Sequence, residues 1–327
     1  MDVLSLVATT LNKHGGVIYG QVWDDIPLFW WLRRHDGVKP VEGGLNIVEN
    51  IEVAKNSTVD WRDPKASIPL VEQDPIRQVA WTWKTIDGSV PIFVDDERKN
   101  RGEARVVDLA EALIDNLRNT MTERIGKALY NNANTNPLSL DGLETICSAS
   151  NVYPAPDDRA QVPGIDRSVS ANAFWRAIVM DTAQTWKLNQ GNESWLHGYM
   201  MVTRGSSIEQ PNIILCSPEL WEAYDSMLMA SQRFENPELA EAGFRNLMYK
   251  NCAVIADFNI TAGTTYILNT KYLHLRPDSM CAEKFIVRDR HPMEDQLADR
   301  VLVAWVGNIT CTVPNRQCKI SNKTVPS

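Results

Sequence analysis

Leu45-Asn46-Ile47-Val48-Glu49-Asn50-Ile51-Glu52-Val53 and Val79-Ala80-Trp81-Thr82-Trp83-Lys84 are the two stretches on which the fold turns. The first alternates imperfectly between apolar and polar residues. The second puts Val79, Trp81 and Trp83 on one face at period two. Together they read as the flanks of a long β-hairpin over residues 43–84, opened by the Gly43-Gly44 pair. Between them Pro64, Pro69 and Pro75 interrupt any regular ladder. Each flank reaches roughly 30 Å at about 3.3 Å per residue, and an isolated two-stranded hairpin is marginal in water. The pattern predicts an arm whose apolar β surface is covered only when a neighbouring molecule lies against it. The plainer alternative is a pair of edge strands in a compact sheet.

A long amphipathic helix follows almost at once. Asn100 is placed to cap it, with Glu103 three residues on in the manner of a capping box. Apolar residues recur at Val106, Leu109, Ala110, Leu113, Leu117, Met121, Ile125 and Ala128, which is helical spacing. The opposite face carries Asp108, Glu111, Asp115, Arg118 and Glu123, with Glu123 and Lys127 a favourable pair. A helix over 103–131 is roughly 43 Å long at 1.5 Å per residue. That is too long for a compact lobe to surround, and it reads as a spine.

Upstream, Pro27-Leu28-Phe29-Trp30-Trp31-Leu32 sets two adjacent Trp residues that cannot share one helix face, so the stretch is expected to be clasped from both sides. Downstream, after a loop rich in Asn, Pro and Asp, the pattern predicts helices over 170–186 and 195–204 and a buried strand over 211–216. Ser217-Pro218-Glu219 then opens a helix with Pro at its first position, and Asn236-Pro237 opens a short one. Strands are expected over 252–257, 265–269, 272–276 and 300–313, the last with Val301, Val303 and Trp305 alternating.

The chain has 327 residues, 44% hydrophobic and 23% charged, which is globular composition with room for a large core and two lobes. The formal net charge of −8 shows no basic stripe of the kind a nucleic-acid reader carries. A surface that faces DNA without gripping it tolerates that balance, as do most cytosolic enzymes, and the charge does not choose between them. The six cysteines (Cys147, Cys216, Cys252, Cys281, Cys311, Cys318) form no C-x-x-C pair and have no His at zinc spacing, so they are expected reduced and buried. No signal peptide is evident at the start, and the apolar runs are too short to span a bilayer, so a soluble protein is expected.

Catalytic arrangements are not apparent. Phosphate-loop, dinucleotide, nucleophile-elbow and zinc-helix motifs do not occur. His14-Gly15-Gly16 lacks a nucleophile elbow, and Asp95-Asp96-Glu97, Asp24-Asp25 and Asp157-Asp158 are explained by the preference for acids at helix starts. The basic triplet Arg33-Arg34-His35 reads as a solvated helix end. His274 is expected on an exposed face with Tyr272 and Arg276, Leu273 and Leu275 pointing inward, and has no evident partner as a base; His197 and His291 are no better placed. Neither cofactor nor metal is predicted. Trp81 and Trp83 suit protein–protein packing better than base stacking in an acidic chain.

With these elements in order, the chain resembles the major capsid proteins of tailed bacteriophages over nearly its whole length. The resemblance is carried by Trp31-Leu32, Lys39-Pro40-Val41-Glu42-Gly43-Gly44, Trp83-Lys84, Asn100-Arg101-Gly102, Asp108-Leu109 and Asp141-Gly142-Leu143. It continues through Cys216-Ser217-Pro218, Tyr224, Gln232-Arg233-Phe234, Ala242-Gly243-Phe244 and Tyr266-Ile267-Leu268-Asn269-Thr270-Lys271-Tyr272-Leu273. Ala304-Trp305, Gly307-Asn308 and Arg316-Gln317 close the collinear series.

That resemblance implies an α+β fold with an N-terminal arm (1–42), an extended β-hairpin loop (43–90), a peripheral domain (91–138 and 262–327) with its spine helix, and an axial domain (139–261). It implies a non-enzymatic shell subunit that forms hexamers and pentamers of an icosahedral head enclosing double-stranded DNA. Leu45, Ile47, Ile51, Val53, Val79, Trp81, Trp83, Trp30 and Trp31 are then the candidate inter-subunit contacts. Only 42 residues precede Gly43, so a separate scaffolding protein is expected, alongside a portal and decoration proteins. Some relatives crosslink a loop Lys to an Asn; Lys55 and Lys65 are the residues available for that here. The expected location is the virion, after assembly in the host cytoplasm. The alternatives are a cellular nanocompartment shell of the same architecture, and a cytosolic α+β enzyme with a dimerisation hairpin.

Overall fold

The computed structural model describes residues 25–325, apart from 64–66, 68–71, 94–102, 158–163, 204–208, 229–234, 283 and 293–297. Asn100, Asp95-Asp96-Glu97, His14-Gly15-Gly16 and Lys65 therefore lie outside the described residues.

The fold is α+β, organised on two sheets joined by a spine. A mixed six-stranded sheet runs Ile178–Met180, Cys318–Ile320, Thr265–Leu268, Ile213–Cys216, Cys252–Ala256 and Asn246–Tyr249 from edge to edge. Its central strands are apolar along their length: Ile213, Ile214, Leu215 and Cys216 are all buried, as a strand covered on both faces requires. The second sheet is built around the 14-residue strand Ala298–Cys311. That strand pairs antiparallel with Lys84–Phe93 on one side, and with Ile286–Pro292 and Leu273–Pro277 on the other. Val303 and Trp305 face inward, as their alternation requires.

The spine helix is Glu103–Leu129, 27 residues or about 40 Å. Met121, Ile125 and Leu129 are buried, while Leu113, Leu117 and Ala128 pack against the same core. Its C-terminal end is held by Gly142: a Cβ there would lie 2.6 Å from the carbonyl oxygens of both Leu129 and Asn131. Only glycine allows that approach. The Trp30-Trp31 stretch forms the short helix Pro27–Arg34, clasped as its composition demands. Trp31 is buried and donates its indole N–H to Thr270 Oγ1 at 3.3 Å, and Trp30 on another face meets Phe244 edge-on at 5.9 Å.

Three sequence expectations are corrected. Residues 170–186 are not a helix: a 3-10 turn over Ser170–Trp175 gives way to the strand Ile178–Met180. That strand pairs in parallel with Cys318–Ile320, a partner 140 residues away that local periodicity does not report. The extended loop stops before Lys84, because Lys84–Phe93 is a full member of the second sheet. Likewise Thr265–Leu268 and Cys318–Ile320 belong to the six-stranded sheet, not with the spine-helix segments. The predicted caps after residue 210 divide. Asn236 accepts the amide of Glu238 at 3.0 Å. Ser217 precedes its helix, but its hydroxyl accepts instead from the amide of Gly263 at 3.2 Å.

Candidate assembly surface

The ribbon consists of Ile47–Glu52 paired antiparallel with Ile76–Trp81, Ile47 opposite Trp81 and Glu52 opposite Ile76. One last bond joins Val53 N–H to the Pro75 carbonyl at 2.8 Å, and the ladder ends where the prolines begin. Its two faces have different fates. Ile47, Ile51, Val79 and Trp81 are buried in the main core, with Trp81 edge-on to Tyr153 at 6.0 Å. Glu49, on the same face, accepts from Arg276 Nε at 2.7 Å and from Thr310 Oγ1 at 2.9 Å. The other face shows Val48 and Ile76 to solvent.

The expected arm with an uncovered apolar face is thus corrected at its root. Ile47, Ile51, Val79, Trp81 and Trp31, five of the nine candidate contacts, are closed inside their own chain and offer a second molecule nothing. The period-two alternation marked an apolar face correctly, but the chain's own sheet covers it. Leu45 is exposed, and Val53, Trp83 and Trp30 are half-buried; Trp83 donates its indole N–H to the Gly44 carbonyl at 3.0 Å, tying down the ribbon's entry.

Sequence reasoning named neither Val59 nor Trp61 at the tip. Trp61 is 99% exposed and Val59 81% exposed. A tryptophan inside a polar, proline-interrupted stretch was the available signal. The turn around it is ordered by its own hydrogen bonds. Asn56 Oδ1 accepts from the Thr58 amide at 2.9 Å and from Gln73 Nε2 at 3.1 Å, and Arg62 Nη2 donates to the Thr58 carbonyl at 2.6 Å.

Where the ribbon leaves the body, charges are buried. Lys84 Nζ donates to the Pro137 carbonyl at 2.6 Å and lies 4.0 Å from Asp157. Asn308 Nδ2 donates to the Thr82 carbonyl at 2.9 Å and to Asp141 Oδ2 at 3.3 Å, while Asn308 Oδ1 accepts the Asp141 amide at 3.1 Å. Burial pushes Asp141 up to about 7 against the pull of Lys84. Arg167, wholly buried, donates to the carbonyls of Thr145, Ile146 and Ser148 and sits 4.7 Å over the Tyr153 ring. Asp141, Asn308 and Arg167 join segments distant in sequence, so their evident work is positional, while Lys84 also lines a cleft beside the spine helix.

His274 is also corrected. It is buried, because residues 37–41 add to the edge of its strand and the ribbon covers its face. Lys39 Nζ lies 2.9 Å from His274 Nε2. Burial, then Lys39 and Arg276, lower the imidazole to about 4. All six cysteines are free and buried; burial raises Cys252 and Cys311 to about 12. Among the described residues no cluster of three His, Cys, Asp or Glu is placed to hold a metal, and no helix is long and apolar enough to cross a membrane.

No family model and no curated protein sequence matches the chain. Its three-dimensional structure does find likenesses. A chain of the cyanophage A-1(L) capsid asymmetric unit superposes with a TM-score of 0.61 at 15% identity, over 88% of this chain and 90% of that one. The capsid of a native GTA particle gives 0.59 at 10% identity, over 90% of each chain. The chain has the tailed-phage major capsid fold. At such low identity the likeness to these capsid chains is carried by architecture alone.

Proposed function

We propose that this chain is the structural subunit of a phage head, self-assembling through hexamers and pentamers into an icosahedral shell around double-stranded DNA. The observation that carries the reading is the likeness to capsid chains across about nine-tenths of both partners. The ribbon supports it, since Leu45, Val48, Val59, Trp61 and Ile76 present apolar side chains to solvent, from half exposed at Val48 to fully exposed at Trp61. On this reading, subunits meet head-to-tail around rings that close by rotation, and each contact is modest and repeated. Leu45, Val53, Trp83 and Trp30 remain candidate contacts, and the six-stranded sheet is the lobe that meets others at capsomer centres. The net charge of −8 suits a wall that encloses DNA without adhering to it. A scaffolding protein, a portal and decoration proteins are the accompanying partners, assembly is in the host cytoplasm, and no catalysis is assigned.

Electron microscopy of the purified recombinant chain, with and without its scaffolding partner, tests this directly. Closed polyhedral particles are expected. A discrete small oligomer at every concentration, by light scattering and microscopy alike, overturns the assignment.

A further inference from the structure

Two features of the surface are complementary. The first is Trp61, carried on an ordered turn and touching almost nothing of its own chain. Asp60 precedes it and accepts the Trp61 amide at 2.8 Å, while Arg62 after it is turned back onto the Thr58 carbonyl. The second is a cleft of about 430 Å³ beside the C-terminal half of the spine helix. Ile86, Ile125, Leu140 and Trp305 line it; Leu138, 65% exposed, stands at its mouth with Arg124. Arg124 is exposed on the helix and makes no hydrogen bond or ion pair among the described residues.

We propose that Trp61 of one copy inserts into this cleft on a second copy, with Asp60 set against Arg124. The proposal rests on the shell reading and names the receiving site for its ribbon. Charge selects this cleft over the larger one of about 520 Å³ walled by Trp221, Phe244 and Phe258. That cleft is lined by Asp25, Glu123 and Glu222 against the single cation Arg245, an acidic excess that repels the Asp60 carboxylate entering beside Trp61. The preformed turn lowers the ordering cost of docking, and a central tryptophan in an apolar pocket is the usual anchor of such a contact.

The test is a disulfide trap in the full-length protein. Val59→Cys, which keeps Trp61, combined with Leu138→Cys is expected to give intermolecular ladders on non-reducing gels after oxidation of assembled particles. The background is low, because the six native thiols are buried, and both substituted positions are exposed, so the fold is retained. Arg124→Asp is expected to lower the yield of shells at least about tenfold, and adding Asp60→Arg to restore it. Shells that form normally while the 59/138 pair stays unlinked, or while Val59→Cys links to Glu222→Cys at the other cleft, overturn this docking and leave the shell reading intact. Absence of shells from the unmodified chain overturns both.

Discussion

Asp141 and His274 are buried groups whose proton affinities move in opposite directions, so their effects on stability oppose one another. Asp141 has an ordinary value of 3.8 and a folded value of about 7. Between the two, the folded chain keeps a proton that the unfolded chain has released, so its contribution is fully present below 3.8 and is lost as pH rises through about 7. His274 falls from 6.5 to about 4, so its contribution is present above 6.5 and is lost as pH falls through about 4. Each is worth up to about 1.4 kcal/mol per pH unit within its window. Thermal melts of the unassembled subunit should show it: Asp141→Asn gains stability relative to the native chain as pH rises from about 4 to about 7, keeping an acceptor for Asn308. His274→Gln should flatten the loss on acidification from pH 6.5 to about 4. Unchanged pH profiles in either variant would show that the group titrates normally.

At the scale of elements, the ribbon divides into a root that serves the fold and a tip that does not. Trp81→Ala removes a wholly buried indole and should cost about 3–5 kcal/mol in urea unfolding of the subunit. Trp61→Ala should leave the same unfolding curve within about 0.5 kcal/mol, because its side chain has no cover to lose. Equal losses from the two substitutions would contradict the division. At the far end of the spine helix, Gly142→Ala brings a methyl group against backbone carbonyls that cannot rotate away. A destabilisation of about 1–3 kcal/mol is expected, by the same measurement.

For the whole molecule, the free tip belongs to assembly. Deleting residues 58–71 should leave a soluble subunit with an unchanged far-ultraviolet circular dichroism spectrum and impaired shell formation by electron microscopy. Normal particles from that deletion would remove the ribbon from the assembly pathway. The deletion begins beyond the last backbone hydrogen bond between the described ribbon strands, Val53 to Pro75, so it spares the root on which the core depends.

Much of this architecture was legible in the residues. The spine helix follows from spacing at three and four, because its stripe needs only one partner surface. The strands Ile213–Cys216, Cys252–Ala256 and Ala298–Cys311 follow from apolar runs and period-two alternation. Alternation also says that the ribbon has an apolar face. It does not say what covers it. Ile47, Ile51, Val79 and Trp81 look the same in sequence whether their cover is the chain's own sheet or a neighbour's, since burial depends on what comes near in space. The same limit hid His274, enclosed by residues 37–41, and the strand Ile178–Met180, whose hydrogen bonds come from Cys318–Ile320. Apolar faces, and the type of the strongly periodic elements, are thus properties of local sequence. Which faces close on their own chain, leaving Trp61 to the outside, was decided only by tertiary packing, because contacts between distant segments are set by three-dimensional proximity and not by any period along the chain.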